Sequence, residues 1–507
     1  MLCRARRTCP ISADTAYALS RMCPPIPDAP ARAAELMRLV GTLGDLPRRF
    51  ADAGYDLCLV GGPVRDLMLG RPVNDFDLTT NARPDDITRI INPWASAVWD
   101  VGREFGTIGG RRGDVTVEIT TFRSEHYDPE SRKPQVDFGD NLEGDLRRRD
   151  FTVNAMAIRL ATLEFVDPFD GHRDLDEQLL RTPGSAADSF TDDPLRMMRA
   201  ARFCSQLGFL VAPEVRQAMV DLVDRIDIVS AERVRDELSK LLLSPDPRWG
   251  LELLVVTGLA DRVLPEVPAL ALEIDEHHRH KDVYEHSLTV LEQAIELERT
   301  HAPTCEPDLV LRLAALLHDI GKPRTRKFEA GGGVSFHHHE VVGARMARKR
   351  MQALRFSNDE IDAVCLLIEL HLRFHGYGSG EWTDSAVRRY VRDAGEQLAR
   401  LHKLTRADCT TRNQRKAAAL RATYDHLEAR IAVLSELEEL DAIRPDLNGQ
   451  QIMEILGLQP GPMVGKAYKF LLDLRLDQGP LAADDARNAL LAWWEQQPRS
   501  EEHTSEL

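Results

Sequence analysis

The sequence predicts an α+β protein, in which a small α/β head with a mixed or antiparallel sheet precedes a long all-helical body. Two observations support this prediction. Between about 55 and 160, short apolar or alternating runs typical of strands stand among helical segments. After 190, apolar residues recur at helical spacing with few interruptions. The 507 residues are too many for one core, so about three domains are expected.

The head opens with two strands that carry candidate functional residues. The run "LCLVGG" is a short apolar strand ending in Gly61 and Gly62, which let the backbone approach a ligand closely. The run "DFDLTT" is a second strand, and side-chain alternation places Asp75 and Asp77 on the same face. Two such carboxylates suit a hard cation such as Mg²⁺, although an isolated Asp-x-Asp is more often a solvated strand face.

The residues around these strands favour a functional interpretation. The helix expected after Gly62 would present its first N–H groups to an anion, and Arg65 adds a charged donor. A phosphate-binding site would then face a site for two metal ions. Two such ions can activate an attacking oxygen and stabilise the pyrophosphate that leaves. The alternating "DVTVEITTF" adds Glu118 as a candidate third carboxylate, although exposed glutamates are common on strands. The polar stretch 123–145 has no period and is expected to be a loop.

A later helix, "DDPLRMMRAARF", carries a pair of residues that could read a base. Asp193 and Arg196 are neighbours on one helix face, where the carboxylate accepts hydrogen bonds and the guanidinium donates them. Cytosine and adenine each present an amino donor beside a ring-nitrogen acceptor, whereas uracil and guanine present the reverse. The pair would therefore select C and A, and Arg199 and Arg202 could reach a triphosphate. An ordinary ion pair at a helix start is the alternative.

The helical body is rich in histidine. Of the sixteen histidines, eleven lie between 277 and 375. The run "LRLAALLHDIGKPRTR" places His318 and Asp319 side by side at the end of an apolar helix. Imidazole and carboxylate ligands suit Mn²⁺, Fe, Ni²⁺ or Mg²⁺. A lone buried histidine is usually a core residue, so the case for a metal depends on further ligands.

Four motifs together resemble a known family. "LVGGPVRDLMLGRPVNDFDLTTNARPDDI", "RRRDFTVNAMAI", "DDPLRMMRAARF" and "ERVRDELSKLLL" resemble, in order and spacing, those of class II tRNA nucleotidyltransferases and bacterial poly(A) polymerases. These belong to the polymerase β-like nucleotidyltransferase superfamily, and the resemblance covers about 30–495. It implies that Asp75 and Asp77 are catalytic and bind Mg²⁺. The residues implied for nucleotide binding are Gly61, Gly62, Arg65, Arg148, Arg149, Asp150, Asp193, Arg196, Arg199 and Arg202. Asp192 stands where the family commonly has Glu.

The body also resembles the HD phosphohydrolase superfamily. The implied ligands of its divalent metal, of unidentified kind, are His286, His318, Asp319, His339, His371 and Asp408. His339 is preferred to its neighbours His337 and His338 because of its spacing to Glu340 and Gly343. The expected domains are a disordered or mis-started N-terminus (1–30), a nucleotidyltransferase head (31–185), a nucleotide- and RNA-binding neck (186–265), an HD domain (270–425) and a helical tail (426–498). The segment 499–507 resembles a translated sequencing adapter.

The implied function is template-independent addition of CCA to tRNA 3′ ends from CTP and ATP, with release of pyrophosphate. The head motifs are shared by poly(A) polymerases and by enzymes that add only CC or only A. The long loop favours CCA addition, and the net charge of −16 disfavours processive binding of arbitrary RNA. An HD phosphohydrolase with a nucleotide-binding head and a non-catalytic RNA-binding module are the remaining alternatives.

The other expectations concern partners and location. The partners implied are the tRNA 3′ end, CTP and ATP, and no obligate protein partner is inferred. No apolar run reaches the roughly 20 residues that a membrane span needs, so no membrane is expected. The eight cysteines are scattered without a Cys-x-x-Cys pair, which indicates reduced thiols and a cytoplasmic location.

Overall fold

The structure is a computed structural model, and it describes the following residues: 29–73, 76–126, 135–139, 141–272, 283–301, 303, 306–328, 334–374, 382–411, 413–438 and 443–497. These residues form two compact units, the first ending at Pro268 and the second beginning at Ala269. The first holds a mixed sheet with helices, and the second is almost wholly helical. The predicted α+β class is therefore confirmed. Among the described residues, no helix is long and apolar enough to span a bilayer.

The strands of the head form one large sheet and one separate hairpin. In chain order they are β1 (Leu57–Val60), β2 (Phe76–Thr80), β3 (Ala97–Trp99), β4 (Thr107–Arg112), β5 (Val115–Thr121), β6 (Arg123–His126), β7 (Gln135–Phe138), β8 (Ala157–Arg159) and β9 (Glu164–Val166). The sheet has seven strands in the order β3-β4-β5-β2-β1-β8-β9. Neighbours are antiparallel except β2 and β5, which are parallel.

The parallel pair β2–β5 sets the position of two acidic residues. Strand β1 lies between β2 and β8 in the sheet, and all four of its residues are buried. In β5, the alternation predicted from the sequence appears as buried Val117 and Ile119 with exposed Glu118 between them. The register pairs Asp77 of β2 with Glu118 of β5. Residues paired in this way in adjacent strands point to the same face.

The stretch 123–145 is not the structureless loop that was expected. Its ends form the antiparallel hairpin β6–β7 and the helix α5 (Leu142–Arg147), whose first turn is capped by the side chain of Asn141. The expectation was wrong at both ends because a polar hairpin and a six-residue helix display no hydrophobic period. The middle of the stretch, 127–134, lies outside the described residues.

The helices of the first unit surround the sheet and continue the chain beyond it. They are α1 (Ala29–Leu43), α2 (Leu46–Asp52), α3 (Gly62–Met68), α4 (Pro84–Ile91), α5, α6 (Gly171–Asp176), α7 (Ala186–Asp192), α8 (Leu195–Leu207), α9 (Pro213–Asp221), α10 (Ala231–Leu242), α11 (Pro247–Val256) and α12 (Leu259–Val263). The side chain of Ser230 caps α10, with its hydroxyl oxygen 3.4 Å from the Arg233 N–H. Gly250 lets α11 pack closely on α8, since a Cβ there would lie 2.4 Å from the Ala201 carbonyl.

In the part of the second unit that the structure describes, the elements are helices and one short hairpin. They are α13 (Val283–Thr300), α14 (Leu309–Leu317), α15 (Lys322–Thr325), α16 (His339–Ala353), α17 (Asn358–Leu370), α18 (Asp384–Ala394), α19 (Leu398–Asp408), α20 (Gln414–Glu438), α21 (Gly449–Leu456), α22 (Pro462–Gln478) and α23 (Ala483–Glu495). The chain after 190 is not wholly helical. In the first unit β11 (Leu210–Val211) pairs with β10 (Leu179–Leu180), and in the second unit β12 (Lys327–Phe328) pairs with β13 (Val334–Ser335). Such two-residue strands are too short to show a period.

Candidate active site and metal centre

A cleft of about 430 Å³ in the first unit collects the residues predicted for nucleotide binding. It is lined by Gly61, Gly62, Arg65, Asp77, Arg148, Arg149, Asp150, Asn154, Asp193, Leu195, Arg196, Arg199, Arg202, Phe203 and Arg233. Every residue named from the sequence for nucleotide binding is among them. Arginines outnumber carboxylates in this lining, so the cleft suits a polyanion such as a triphosphate.

The glycine turn after β1 brings the backbone close to an arginine of the cleft. Gly61 has φ +72°, a conformation that side chains with a Cβ rarely adopt. A Cβ at Gly61 would lie only 2.9 Å from Nη1 of Arg149 and 4.0 Å from Oδ2 of Asp77. Because glycine has no side chain, the Arg149 guanidinium can lie against the turn at Gly61, near Asp77 of β2.

Replacing Gly61 with alanine is expected to slow nucleotide addition about 100-fold, because the methyl group would displace the Arg149 guanidinium. Backbone strain should also lower the free energy of unfolding by about 1–3 kcal/mol. Gly113 provides a matched control, since it has φ +61° but nothing within 4 Å of a Cβ. Gly113→Ala should destabilise similarly and leave activity intact. Equal activities of the two variants in a primer-extension assay would contradict this prediction.

The candidate metal site of the head lies at the end of the cleft where strand β2 carries Asp77. Asp77 and Glu118 are both exposed and are register partners on adjacent strands. Asp75 lies outside the described residues. Two neighbouring carboxylates on one sheet face are hard oxygen donors, which are the ligands that Mg²⁺ prefers. The residues present therefore fit a divalent cation, and Glu118, the candidate third carboxylate, stands beside Asp77 as that role requires.

A buried aspartate that the sequence did not single out holds two arginines of the cleft. Asp145 of α5 is fully buried. Its Oδ1 accepts from Nε of Arg148 at 3.0 Å and from the backbone N–H of Arg123 at 3.2 Å, and its Oδ2 lies 3.3 Å from Nη2 of Arg149. Burial acts to raise the pKa of Asp145, but the two arginines outweigh it and lower that pKa. The spacing of three and four residues from the arginines is the signal that could have identified Asp145.

Asp150, which the resemblance implies for nucleotide binding, is hydrogen-bonded to two other residues of the cleft. Its Oδ1 accepts from the Asn154 amide at 3.0 Å, and its Oδ2 accepts from Nε of Arg199 at 2.7 Å. Burial opposes ionisation, yet Arg199 and Asn154 lower the pKa of Asp150 well below its usual range. The Asn154 oxygen accepts in turn from Nη1 of Arg65 at 2.7 Å. Asn154, missed from the sequence, therefore joins Arg65 to Asp150.

The pair predicted to read the base lies at the start of α8. Asp193 is not on the helix with Arg196, where the sequence predicted it, but lies two residues before it with an extended backbone. Its Oδ1 accepts from the Leu195 N–H at 3.2 Å, and its Oδ2 accepts from Nη2 of Arg233 at 3.0 Å. Arg196 is buried and donates from Nη1 to the Ser189 hydroxyl at 2.8 Å. Both side chains line the cleft, as the prediction requires, but each is already held by a protein partner. Arg233 was not anticipated, because it lies on a different helix, α10.

The last two arginines of the predicted set follow along α8. Arg199 contacts Asp150, and Nε of Arg202 donates to buried Glu237 of α10 at 2.6 Å. Glu237 was likewise not identified from the sequence. Its place four residues after Arg233 on α10 puts both on one helix face. The motif "ERVRDELSKLLL" thus supplies two charged partners to the cleft.

The second unit holds a separate cluster of candidate metal ligands. The groups His286–His318–Asp408 and Asp319–His339–His371 could each hold an ion, and together they contain every ligand predicted for the body. Nε2 of His286 lies 2.9 Å from Oδ1 of Asp408 and 3.3 Å from Nε2 of His318. The structure therefore brings these six residues into one site.

In three of these histidines, a hydrogen bond to the backbone fixes the orientation of the imidazole ring. Nδ1 of His318, His339 and His371 each donate to the backbone carbonyl three residues earlier, at 2.9, 2.8 and 2.6 Å. Because a carbonyl can only accept, each Nδ1 carries the proton and Nε2 keeps its lone pair for a metal. Gly321 allows this packing, since a Cβ there would lie 2.1 Å from the His339 carbonyl.

The electrostatics of the cluster fit a divalent cation. Burial, with the neighbouring His318, lowers the pKa of His371 to about 3, so that this ring stays neutral. Nε2 of His371 is buried without a hydrogen-bond partner. Burial of such an atom costs free energy unless a bound ligand, such as a metal ion, interacts with it. Burial opposes ionisation of Asp319 as well, but His318 and Lys322 hold its pKa well below the usual range. His338, in contrast, has an 83% exposed side chain that leaves it outside the cluster.

His371→Ala should weaken metal binding by the second unit at least about tenfold, because it removes a buried donor whose ring is fixed in advance. Metal content of the purified full chain, measured by atomic emission after dialysis, checks this. His338→Ala is the matched control and should retain the metal. Equal metal content in the two variants would contradict the assignment of His371.

Comparisons with known proteins agree with this arrangement. The sequence profile of the poly A polymerase head domain matches residues 57–181. A profile described as the probable RNA and SrmB-binding site of polymerase A matches 208–270, and that of the HD domain matches 283–413. The resemblance inferred from the motifs is therefore confirmed along both units.

Relatives and solved structures lead to the same family. The A-adding tRNA nucleotidyltransferase of Deinococcus radiodurans is 35% identical over 452 residues, which cover 87% of this chain and 96% of that protein. The CCA-adding enzyme of Lactobacillus delbrueckii subsp. bulgaricus is 40% identical over 229 residues, 45% of this chain and 56% of that protein. The crystal structure of the Bacillus stearothermophilus CCA-adding enzyme in complex with CTP has a TM-score of 0.62 and 26% identity, covering 90% and 97% of the two chains. The chain belongs to the tRNA nucleotidyltransferase family, with a poly(A) polymerase head domain and an HD domain.

Proposed function

We propose that the protein adds CCA to tRNA 3′ ends from CTP and ATP without a nucleic-acid template, releasing pyrophosphate at each step. The observation that supports this most directly is the arginine-lined cleft of the first unit. It brings an acidic edge at Asp77, an arginine-rich wall and the Asp193–Arg196 pair to one place. Relatives named as CCA-adding enzymes, one of them solved with CTP, support the same activity.

The residues of the cleft have separate roles in this proposal. Asp75, Asp77 and Glu118 would hold Mg²⁺, which supplies charge stabilisation for attack of the RNA 3′ hydroxyl on the α-phosphate. Arg148 and Arg149, fixed by Asp145, would bind the triphosphate and orient pyrophosphate to leave in line with the attack.

Selection of the base would depend on helix α8. Asp193 accepts from the amino group of C or A while Arg196 donates to the ring nitrogen beside it. Uracil and guanine present a carbonyl to Asp193 and an N–H to Arg196. With a wrong base, an acceptor therefore faces the Asp193 carboxylate and a donor faces the Arg196 guanidinium. Mismatches of this kind commonly give discrimination of about 10⁴-fold.

Nucleotide incorporation by the purified full chain tests the proposal. With Mg²⁺, tRNA lacking CCA, tRNA ending in CC, and an unrelated oligonucleotide would each receive CTP, ATP or both. Three residues added, stopping at CCA, is the expected result. Addition of A alone to tRNA ending in CC would instead match the Deinococcus radiodurans relative, which is named as A-adding. Long A tails on any RNA would identify a poly(A) polymerase.

A second activity is proposed for the HD cluster. Its six ligands would hold Mn²⁺, Fe, Ni²⁺ or Mg²⁺, which can activate water against a phosphoester. The buried, fixed imidazoles of His318, His339 and His371 support metal binding, on which this activity depends. Phosphate release from p-nitrophenyl phosphate should be lost in His371→Ala and retained in Asp77→Asn, and the reverse should hold for nucleotide addition. We further propose that both activities operate in the cytoplasm.

A further inference from the structure

Three guanidinium groups of the cleft surround a single aromatic ring. Phe203, on α8, is 3% exposed and is the one aromatic residue among the described lining residues. The guanidinium carbons of Arg202, Arg65 and Arg199 lie 4.1, 5.3 and 5.6 Å from its ring centroid. Energetically significant cation–π contacts occur roughly once per 70–80 residues, so three on one ring need an explanation.

Apolar packing alone does not account for this arrangement. Phe203 packs edge-on against Phe151, with ring centroids 5.8 Å apart. Three further neighbours of the ring are guanidinium groups, whose positive charges repel one another. Burial lowers the pKa of Arg202, and the nearby charge of Arg199 contributes to that shift.

Each of the three arginines also has a polar anchor. Arg65 donates to Asn154, Arg199 to Asp150 and Arg202 to Glu237. The anchors fix one end of each guanidinium, and the electron-rich ring face offers a common surface for the other. The quadrupole of a phenyl ring attracts cations, so it offsets part of their mutual repulsion.

We infer that Phe203 is a positioning residue that holds Arg65, Arg199 and Arg202 together for the triphosphate of the incoming nucleotide. Arg199 and Arg202 follow Arg196 at successive three-residue steps along α8, and Arg65 of α3, which belongs to an earlier motif of the sequence, reaches the same ring. The inference rests on the proposed function only in that the cleft must bind a nucleoside triphosphate.

Equilibrium binding measured by calorimetry on the full chain tests the inference without requiring activity. The probes are CTP and inorganic tripolyphosphate. Phe203→Leu, which keeps an apolar side chain but removes the ring, should weaken binding of both about tenfold. Phe203→Tyr, which keeps the ring, should bind both as the unaltered protein does. Phe209→Leu is the matched control, a buried phenylalanine just beyond the same helix that does not line the cleft.

The outcomes separate the alternatives. If Phe203→Leu binds both ligands normally and loses only as much thermal stability as Phe209→Leu, the ring is a packing residue and the inference fails. If CTP binding weakens while tripolyphosphate binding does not, the ring contacts the base instead, and the inference also fails. If Phe203→Leu does not fold, a comparison of Phe203→Tyr with Phe203→Met tests the inference instead. Phe203→Tyr should bind tripolyphosphate normally and Phe203→Met should not. An unaltered protein that binds neither ligand would refute the proposed function itself.

Discussion

Replacing Asp77 with asparagine is expected to slow nucleotide addition about 1,000-fold, or about 4 kcal/mol in activation free energy. The side chain keeps its size but loses the charge that would hold a divalent cation beside Glu118. Because the carboxylate is exposed on the sheet face, its loss should leave the fold unchanged. The rate of a single CTP addition to tRNA lacking CCA, measured at saturating nucleotide, checks this.

An exposed aspartate on the same sheet supplies the control for this experiment. Asp114, in the turn between β4 and β5, carries the same charge but does not line the cleft. Asp114→Asn should add nucleotides at the normal rate. If Asp77→Asn retained more than about a tenth of the activity, the metal assignment in the head would be wrong.

Replacing Asp145 with asparagine is expected to lower the free energy of unfolding by about 3–5 kcal/mol, because two guanidinium groups would lose their buried anion. The freed Arg148 and Arg149 should also raise the KM for CTP. The unfolding transition of the full chain in urea, followed by tryptophan fluorescence, measures the first effect. Glu143→Gln is the control on the same helix, since Glu143 pairs with Arg147 and both side chains are 61% exposed. That variant should change stability by less than about 1 kcal/mol.

The effect of Asp145 should also depend on pH. The arginines lower the pKa of this carboxyl in the folded protein, so its charge stabilises the fold at pH values above its unfolded pKa of about 3.9. As the pH falls below about 4, the unfolded chain binds a proton more readily than the folded one, and the stabilisation is progressively lost. The difference in stability between Asp145→Asn and the unaltered protein should therefore be largest near neutral pH. A difference that grew on acidification would contradict the prediction.

The sequence predicted those parts of the site that lie within one element or follow a periodic pattern. Alternation placed Glu118 on the exposed face of β5, and helical spacing placed Arg196, Arg199 and Arg202 on α8, as the structure has them. Asp193 was expected on the same helix but lies two residues before α8 with an extended backbone, although it still lines the cleft. The HD ligands came from the resemblance, which supplied the order of distant residues that no local pattern could join. The roles of all these residues stay predictions.

Two of the residues that were missed act across long sequence separations. Asn154 accepts from Arg65, 89 residues earlier, and Arg233 donates to Asp193, 40 residues earlier. No period in the sequence relates such positions, because the folded backbone alone brings them together. The polar hairpin β6–β7 was missed for a related reason, since it has no apolar alternation to reveal it.

The ion pairs of the cleft bear on how the protein would handle successive nucleotides. Arg199, Arg202 and Arg233 each already pair with a carboxylate of the protein. Binding a triphosphate is then an exchange of anions, and its free energy is the difference between two sets of charge contacts. We expect such a site to bind each nucleotide with modest affinity and to release pyrophosphate readily. For a chain that adds both cytidine and adenosine, as proposed, this modest affinity would be an advantage.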